Sequence, residues 1–266
     1  LPPSSAASDV YKRQVFMVFA ISIILVLSLL PLMRAPERAP REELEESLGE
    51  ILRLAVRDPS YMMIFAGFFS CGYQLAFITA HFPALVTEMS APIDPLGWCG
   101  DLGIETTAAL GGFAISVIGA ANIIGTLMAG WAGKRFGKKW LLSGIYAGRS
   151  IAAAWFILTP ITANTVLIFS FAMGFLWLAT VPLTSGLVAH IYGIRYMATL
   201  YGIVFFSHQV GSFVGVYLGG VLYDMYGSYT TVWWIGIAVG VFSSLIHLPI
   251  REEARLSPKS AMFDKA

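Results

Sequence analysis

Residues 109–139 read ALGGFAISVIGAANIIGTLMAGWAGKRFGKK. From Ala109 to Trp131 there is no charged residue. That run exceeds the roughly 18 apolar residues that a helix needs to cross about 30 Å of hydrocarbon. It then gives way to Lys134, Arg135, Lys138 and Lys139. An uncharged span closed by cations is the pattern of a membrane helix leaving the bilayer on the cytoplasmic side, where Lys and Arg are retained. Ala121, Gly125, Ala129 and Gly133 recur every fourth residue. One face of this helix can therefore approach a neighbouring backbone closely.

Six further blocks of the same kind flank it, at about 15–33, 61–86, 140–159, 165–189, 198–222 and 230–249. The fold class expected is an all-α membrane protein with seven transmembrane helices. Composition agrees: 57% of the 266 residues are hydrophobic and 12% charged, and mean hydropathy is +0.72. An average soluble chain has about 25% charged residues. Transmembrane strands would be half as long and would alternate, and these blocks do not. A net charge of +1 gives no electrostatic footprint for nucleic acid. Two cysteines, Cys71 in a span and Cys99 in a loop, are too few for a disulfide framework.

The loops set an orientation. Basic residues collect in 34–60 (Arg34, Arg38, Arg41, Arg53, Arg57), after span three, at Arg195, and in the tail (Arg251, Arg255, Lys259, Lys265). Loops 87–108, 160–164 and 223–229 hold none. The C-terminus, 251–266, is expected to be a cytoplasmic tail and the first span to enter from outside. Lys12 and Arg13 break the pattern, but they lie in the opening LPPSSAASDVYKRQ (1–14). That stretch lacks the parts of a signal peptide. It resembles translated sequencing adapter and is expected to be a non-native leader on an N-terminally truncated chain. Segment 34–60 separates one span from six. Within it REELEESLGEILRLAVRD (41–58) places Leu44, Leu48, Ile51, Leu52 and Ala55 at helical spacing, with acids early and Arg53 and Arg57 late. This predicts an amphipathic cytoplasmic helix in a linker, lying on the membrane surface or the base of the bundle.

Charges inside a membrane are costly and mark candidate sites. Arg149, in LLSGIYAGRSIAAAWF (141–156), is the one charged residue deep within spans two to seven. It lies about 12 Å from the cytoplasmic end of its helix. It is read either as a fixed cation for an anionic substrate or a proton-releasing carboxylate, or as a structural or snorkelling residue. His208 and Gln209 sit midway along span six. Gln74 and His81 share a face of span two, two turns apart. A histidine here either carries a coupled proton or bonds between helices. Asn122 is a candidate lining residue of span three. His190 and His247 read as interfacial. Gly211, Gly215 and Gly219 form GxxxGxxxG, a packing face. No metal-ligand spacing, phosphate loop, nucleophile elbow or paired carboxylates appear, so neither cofactor, metal nor enzyme activity is expected. The spans contain no lysine, which excludes a retinal Schiff base.

The loop GWAGKRFGKK (130–139) resembles the cytoplasmic signature of the major facilitator superfamily, in which Gly130, Arg135, Gly137, Lys138 and Lys139 match and Lys134 replaces the usual Asp. GGVLYDMYGSYTTVWW (219–234), with Asp224 and Gly227, resembles the end of helix eleven and the outer loop of monocarboxylate-transporter-like permeases. GFFSCGYQLAFITAHFPA (67–84) and SHQVGSFVGVYLGG (207–220) are similar to bacterial members of that group. The resemblance implies that the seven spans are helices 6–12 of a twelve-helix fold. Segment 15–33 would be the last helix of an N-terminal half, 34–60 the linker and 61–250 the C-terminal six-helix bundle. It further implies a multi-pass permease of the bacterial inner membrane, with the lipid bilayer and the rest of its own chain as partners. Such a permease would move a small organic anion such as a monocarboxylate, with a proton, by alternating access. Animal members carry an arginine in helix eight, where this chain has Asn122. An exporter of drugs or neutral metabolites and a seven-helix receptor or sensor stand as alternatives.

Overall fold

A computed structural model of the protein describes residues 3–28, 47–94 and 96–255. Their regular structure is all helix, and the chain divides into two units, Leu1–Glu45 and Glu46–Ala266. The first contains α1 (Pro3–Ser28). Its apolar part is Arg13–Ser28, and the helix continues without a break across residue 14, where a foreign leader was expected to end. Residues 29–33 of the first expected span lie outside the described residues.

The second unit opens with α2 (Leu48–Arg57). Ser47 and Glu50 close a capping box at its start, with Glu50 Oε2 accepting from the Ser47 N–H at 2.8 Å. Ile51 and Ala55 are fully buried against the bundle, so the amphipathic helix seats on the protein base. Leu44 and the remainder of 34–46 lie outside the described residues. Asp58 ends α2 and caps α3 (Pro59–Met89) by accepting the Ser60 N–H at 2.9 Å. A short helix, α4 (Trp98–Asp101), crosses the long loop that follows. It buries Cys99, which the sequence placed in a loop; both cysteines are free. Then come α5 (Thr107–Ala132), α6 (Lys138–Leu158), α7 (Ala163–Leu176), α8 (Thr180–Tyr192), α9 (Ile194–Tyr226) and α10 (Thr230–His247). Among the described residues six helices are long and apolar enough to span a membrane, with α7 and α8 together counting as one.

The expected span 165–189 is thus not one uninterrupted helix. It breaks at Trp177–Ala179. Pro182 explains the site: it has no N–H to offer the Leu178 carbonyl, and its ring opposes a helix through that turn.

The bundle centres on α3, which packs along α9 and against α5 and α10; α6 lies against α10, and α5 against α7. The close contacts are backbone to backbone. A Cβ on Gly211 would stand 2.0 Å from the Phe69 carbonyl oxygen, and one on Gly215 2.4 Å from that of Tyr73. A Cβ on Gly125 would stand 1.7 Å from the Phe175 carbonyl oxygen. In lipid, where apolar burial drives helices together only weakly, such proximity supplies much of the association.

Hydrogen bonds gather the helix ends into two groups. At one end Tyr192 and Arg255 meet Asp58, the Arg251 N–H reaches Ser60 Oγ, and the Lys139 ammonium reaches the Ile250 carbonyl at 3.0 Å. At the other, the Ala91 N–H reaches the Ile161 carbonyl at 2.8 Å and Tyr223 donates to Glu88. Among the described residues, the basic segments before α3, between α5 and α6 and after α10 fall in the first group. Residues 256–266 of the tail lie outside the described residues.

Candidate functional site

Two apolar clusters fill the bundle. One surrounds Trp233, with Phe77, Phe82, Phe156 and Phe169 within 4.5–6.3 Å of one another or of its ring. The other joins Tyr61, Ile64, Leu142, Leu187 and Tyr192 near the basic end. Polar groups lie where the two clusters meet, around the break between α7 and α8.

Arg149 occupies this layer. It is fully buried, not at the membrane interface. A broken helix leaves carbonyls without amide partners, and the guanidinium serves them. Nε donates to the Leu176 carbonyl at 3.1 Å, and Nη2 donates to the same oxygen at 2.7 Å and to the Trp177 carbonyl. Nη1 approaches Cys71 Sγ at 3.5 Å. The Tyr146 ring centre lies 5.3 Å from the guanidinium carbon. Among the described residues no carboxylate pairs with this charge.

Asn122 holds the other side of the break. Its Oδ1 accepts the Leu178 N–H at 2.9 Å and the Thr126 hydroxyl at 3.1 Å. Asn122 and Arg149, two expected site residues, therefore meet the same interruption from α5 and α6. Cys71 and Thr180 complete it, with Sγ and Oγ1 3.3 Å apart. Neither was singled out from the sequence. The signal that could have found both is Pro182, which marks the break.

His208 lies beside Cys71, half-buried and stacked on Phe205 at 5.3 Å. Its Nδ1 pairs with Gln209 Oε1 at 3.2 Å, while Nε2 is buried without a partner. Gln209 itself is exposed. Gln74, one turn from Cys71, is buried and donates through Nε2 to the Gly236 carbonyl at 3.0 Å. Its Oε1 has no partner, nor have the buried hydroxyls of Tyr73 and Tyr146. His81 stands apart, two turns further along α3, and its Nε2–H donates to the Val216 carbonyl at 3.0 Å. A Cβ on Gly219 would meet this ring at 2.4 Å. His247, read as interfacial, is buried: its ring stacks on Tyr146 at 5.1 Å and Nδ1 bonds the Ser243 carbonyl.

The signature loop sits at the basic end. Arg135 lies over the Trp131 ring at 4.3 Å. Gly137 caps α6, and the Lys139 N–H in the first turn donates to Glu252 at 2.5 Å. A carboxylate from beyond α10 thus holds the positive end of α6. Glu252 is a residue the sequence did not single out. Lys138 runs alongside Gly186, and Gly130 has open space around it. At the other end Gly227 adopts φ 61° to terminate α9, beside the exposed Asp224. Among the described residues no group of His, Cys, Asp or Glu is placed to hold a metal ion.

Comparison with known proteins matches residues 95–264 to the Major Facilitator Superfamily. The chain is similar to the uncharacterized MFS-type transporter YcxA of Bacillus subtilis, at 25% identity over 86% of this chain and 54% of that protein. It also resembles a triacylglyceride transporter of Mycobacteroides abscessus, at 23% identity over 53% of this chain and 26% of that protein. The chain therefore spans about half or less of the length of these relatives. Its fold is like that of FucP, a fucose:proton symporter of E. coli, with a TM-score of 0.62 at 15% identity over 93% of this chain and 58% of that one. The outward conformation of FucP gives the same TM-score. With a family match over most of its length and six helices fit to cross a bilayer, the chain is a multi-pass membrane protein belonging to the major facilitator superfamily of transporters.

Proposed function

We propose that this bundle is the C-terminal half of a bacterial inner-membrane permease that moves a small organic anion, such as a monocarboxylate, together with a proton. The other half would come from an N-terminal bundle of the same protein. The two would rock about a site near the bilayer midplane. The observation that carries the reading is Arg149: a fully buried cation whose partners are neutral carbonyls and a thiol. A guanidinium in a low-dielectric layer is costly without a counter-charge, and an anionic solute supplies one. His208, whose buried Nε2 makes no hydrogen bond by geometry, would carry the proton, and Gln74 and Asn122 would line the path. The bias of Lys and Arg toward one set of loops supports a cytoplasmic C-terminus.

Uptake by the full-length gene product tests this. Arg149→Gln should abolish uptake while Arg149→Lys, keeping the charge but not the planar fork, should retain it with KM raised about tenfold. Thermal midpoints of both purified variants check that the fold persists. Wild-type uptake by a folded Arg149→Gln protein overturns the anion-site role.

One observation favours a second reading, export of drugs or neutral metabolites. Nε and Nη2 of Arg149 are already committed to the broken helix, which suits a guanidinium serving structure alone. Arg149→Gln with intact export of a neutral solute and no anion uptake would select it.

A further inference from the structure

At the basic end, a cavity of about 710 Å³ opens between α2, the start of α3 and the segment after α10. Its charged lining is Arg53, Arg57, Arg255, Glu50 and Asp58. Asp58 has both carboxylate oxygens engaged, and Glu50 has one. Asp58 Oδ2 accepts from Arg255 Nε at 2.9 Å and the Tyr192 hydroxyl at 2.8 Å. Its Oδ1 accepts the Ser60 N–H at 2.9 Å and Arg255 Nη2 at 3.3 Å. Glu50 Oε2 accepts both the Ser47 N–H and the Ser47 hydroxyl, at 2.8 and 2.9 Å. Those bonds hold the Glu50 carboxyl below its usual pKa. Burial works against ionisation of Asp58, but the donors around it outweigh burial and hold its pKa low as well. Both acids are therefore ionised at neutral pH, Asp58 bonded through both oxygens and Glu50 through Oε2.

The arginines are not matched in this way. Arg53 and Arg57 are one turn apart on α2 and share its polar face. Both are exposed, and neither has a hydrogen bond or ion pair among the described residues. Arg255 keeps Nη1 beyond its two bonds to Asp58. Three guanidinium groups thus line one hollow with two carboxylates, of which Asp58 has both oxygens engaged and Glu50 has Oε2 engaged by Ser47, so the cations outnumber the acids there. Forked N–H donors at fixed charge match a tetrahedral oxyanion, and basic pockets beside membrane helices suit phosphate-bearing headgroups.

We propose that this cavity binds a phosphate group through Arg53, Arg57 and Arg255, carried by an anionic phospholipid headgroup or by a free phosphate. The site is separate from the layer around Arg149 and does not rest on the transport reading.

The test uses the full chain in a maltoside detergent, which contributes no phosphate. Thermal midpoints are read with inorganic phosphate, with phosphatidylglycerol in mixed micelles, and with sodium chloride at matched ionic strength. At ten times the dissociation constant, bound ligand should raise the midpoint by about 3 °C or more. A rise with phosphatidylglycerol alone identifies a lipid headgroup, and a rise with inorganic phosphate identifies the free anion. In either case R53Q/R57Q should start from the wild-type midpoint and lose at least half of the rise. No rise with either phosphate source, an equal rise with chloride, or an unaltered rise in R53Q/R57Q overturns the proposal.

Discussion

Arg149 and Asp58 show two ways of enclosing a charge. Arg149 is surrounded by carbonyls that a broken helix leaves over, so the break and the cation satisfy each other. Asp58 is surrounded by donors: the Ser60 N–H, the Tyr192 hydroxyl and the Arg255 guanidinium. These hold its carboxyl below the usual range despite burial. The stability that follows is fully present above the unfolded pKa of about 3.9 and is lost as pH falls through the lower folded value. Thermal midpoints taken from pH 7 to pH 2.5 should show this. Wild type should lose stability below about pH 4. Asp58→Asn should start from a midpoint lowered by a change of about 3 kcal/mol and lose less over the same interval. An acid limb of equal depth in both proteins would mean that the Asp58 cluster contributes nothing.

Helix packing is where sequence reasoning reached furthest and also where it stopped. The GxxxGxxxG row names Gly211, Gly215 and Gly219 as a packing face, and the structure sets the first two on the α3 backbone and the third on the His81 ring. Spacing encodes a face directly, so a four-residue repeat is legible without coordinates. Gly211→Ala should push α9 off α3 and cost about 1–3 kcal/mol, because the neighbour at 2.0 Å is a carbonyl oxygen rather than a flexible side chain. Gly220→Ala, with nothing within 4 Å of its Cβ, should leave the thermal midpoint unchanged. Equal midpoints for the two variants would show that the close approach carries no energy. Partners across helices are not encoded in this way. The sequence marks Arg149 as a charge deep within a span, leaving a site cation and a structural or snorkelling residue both open, and its carbonyl partners appear only once α7 is known to end at Leu176. Cys71 and Thr180 become neighbours only through that break. His247 misleads for a related reason: its closeness to a helix end suggests water, whereas α6 covers it with Tyr146.

On the scale of the whole molecule, the positions of six of the seven expected spans, though not the break within 165–189, and the division of the described loops into a basic and a non-basic end were readable from hydropathy and charge. Both patterns answer to the bilayer and not to any single contact. What the two ends enclose is a bundle with an apolar cluster toward each end and a polar layer between them. That arrangement suits a solute held at mid-depth, reached in turn from either side. Under the proposed function, the buried cation in this layer would attract an anionic solute and His208 would carry the accompanying proton. The most direct measurement is accumulation of a radiolabelled short-chain monocarboxylate by cells expressing the full-length gene product under an imposed inward proton gradient. Concentrative uptake that a protonophore abolishes and unlabelled carboxylates compete away is the result expected. No carboxylate accumulation under the gradient, with extrusion of a neutral lipophilic solute by the same cells, would contradict it.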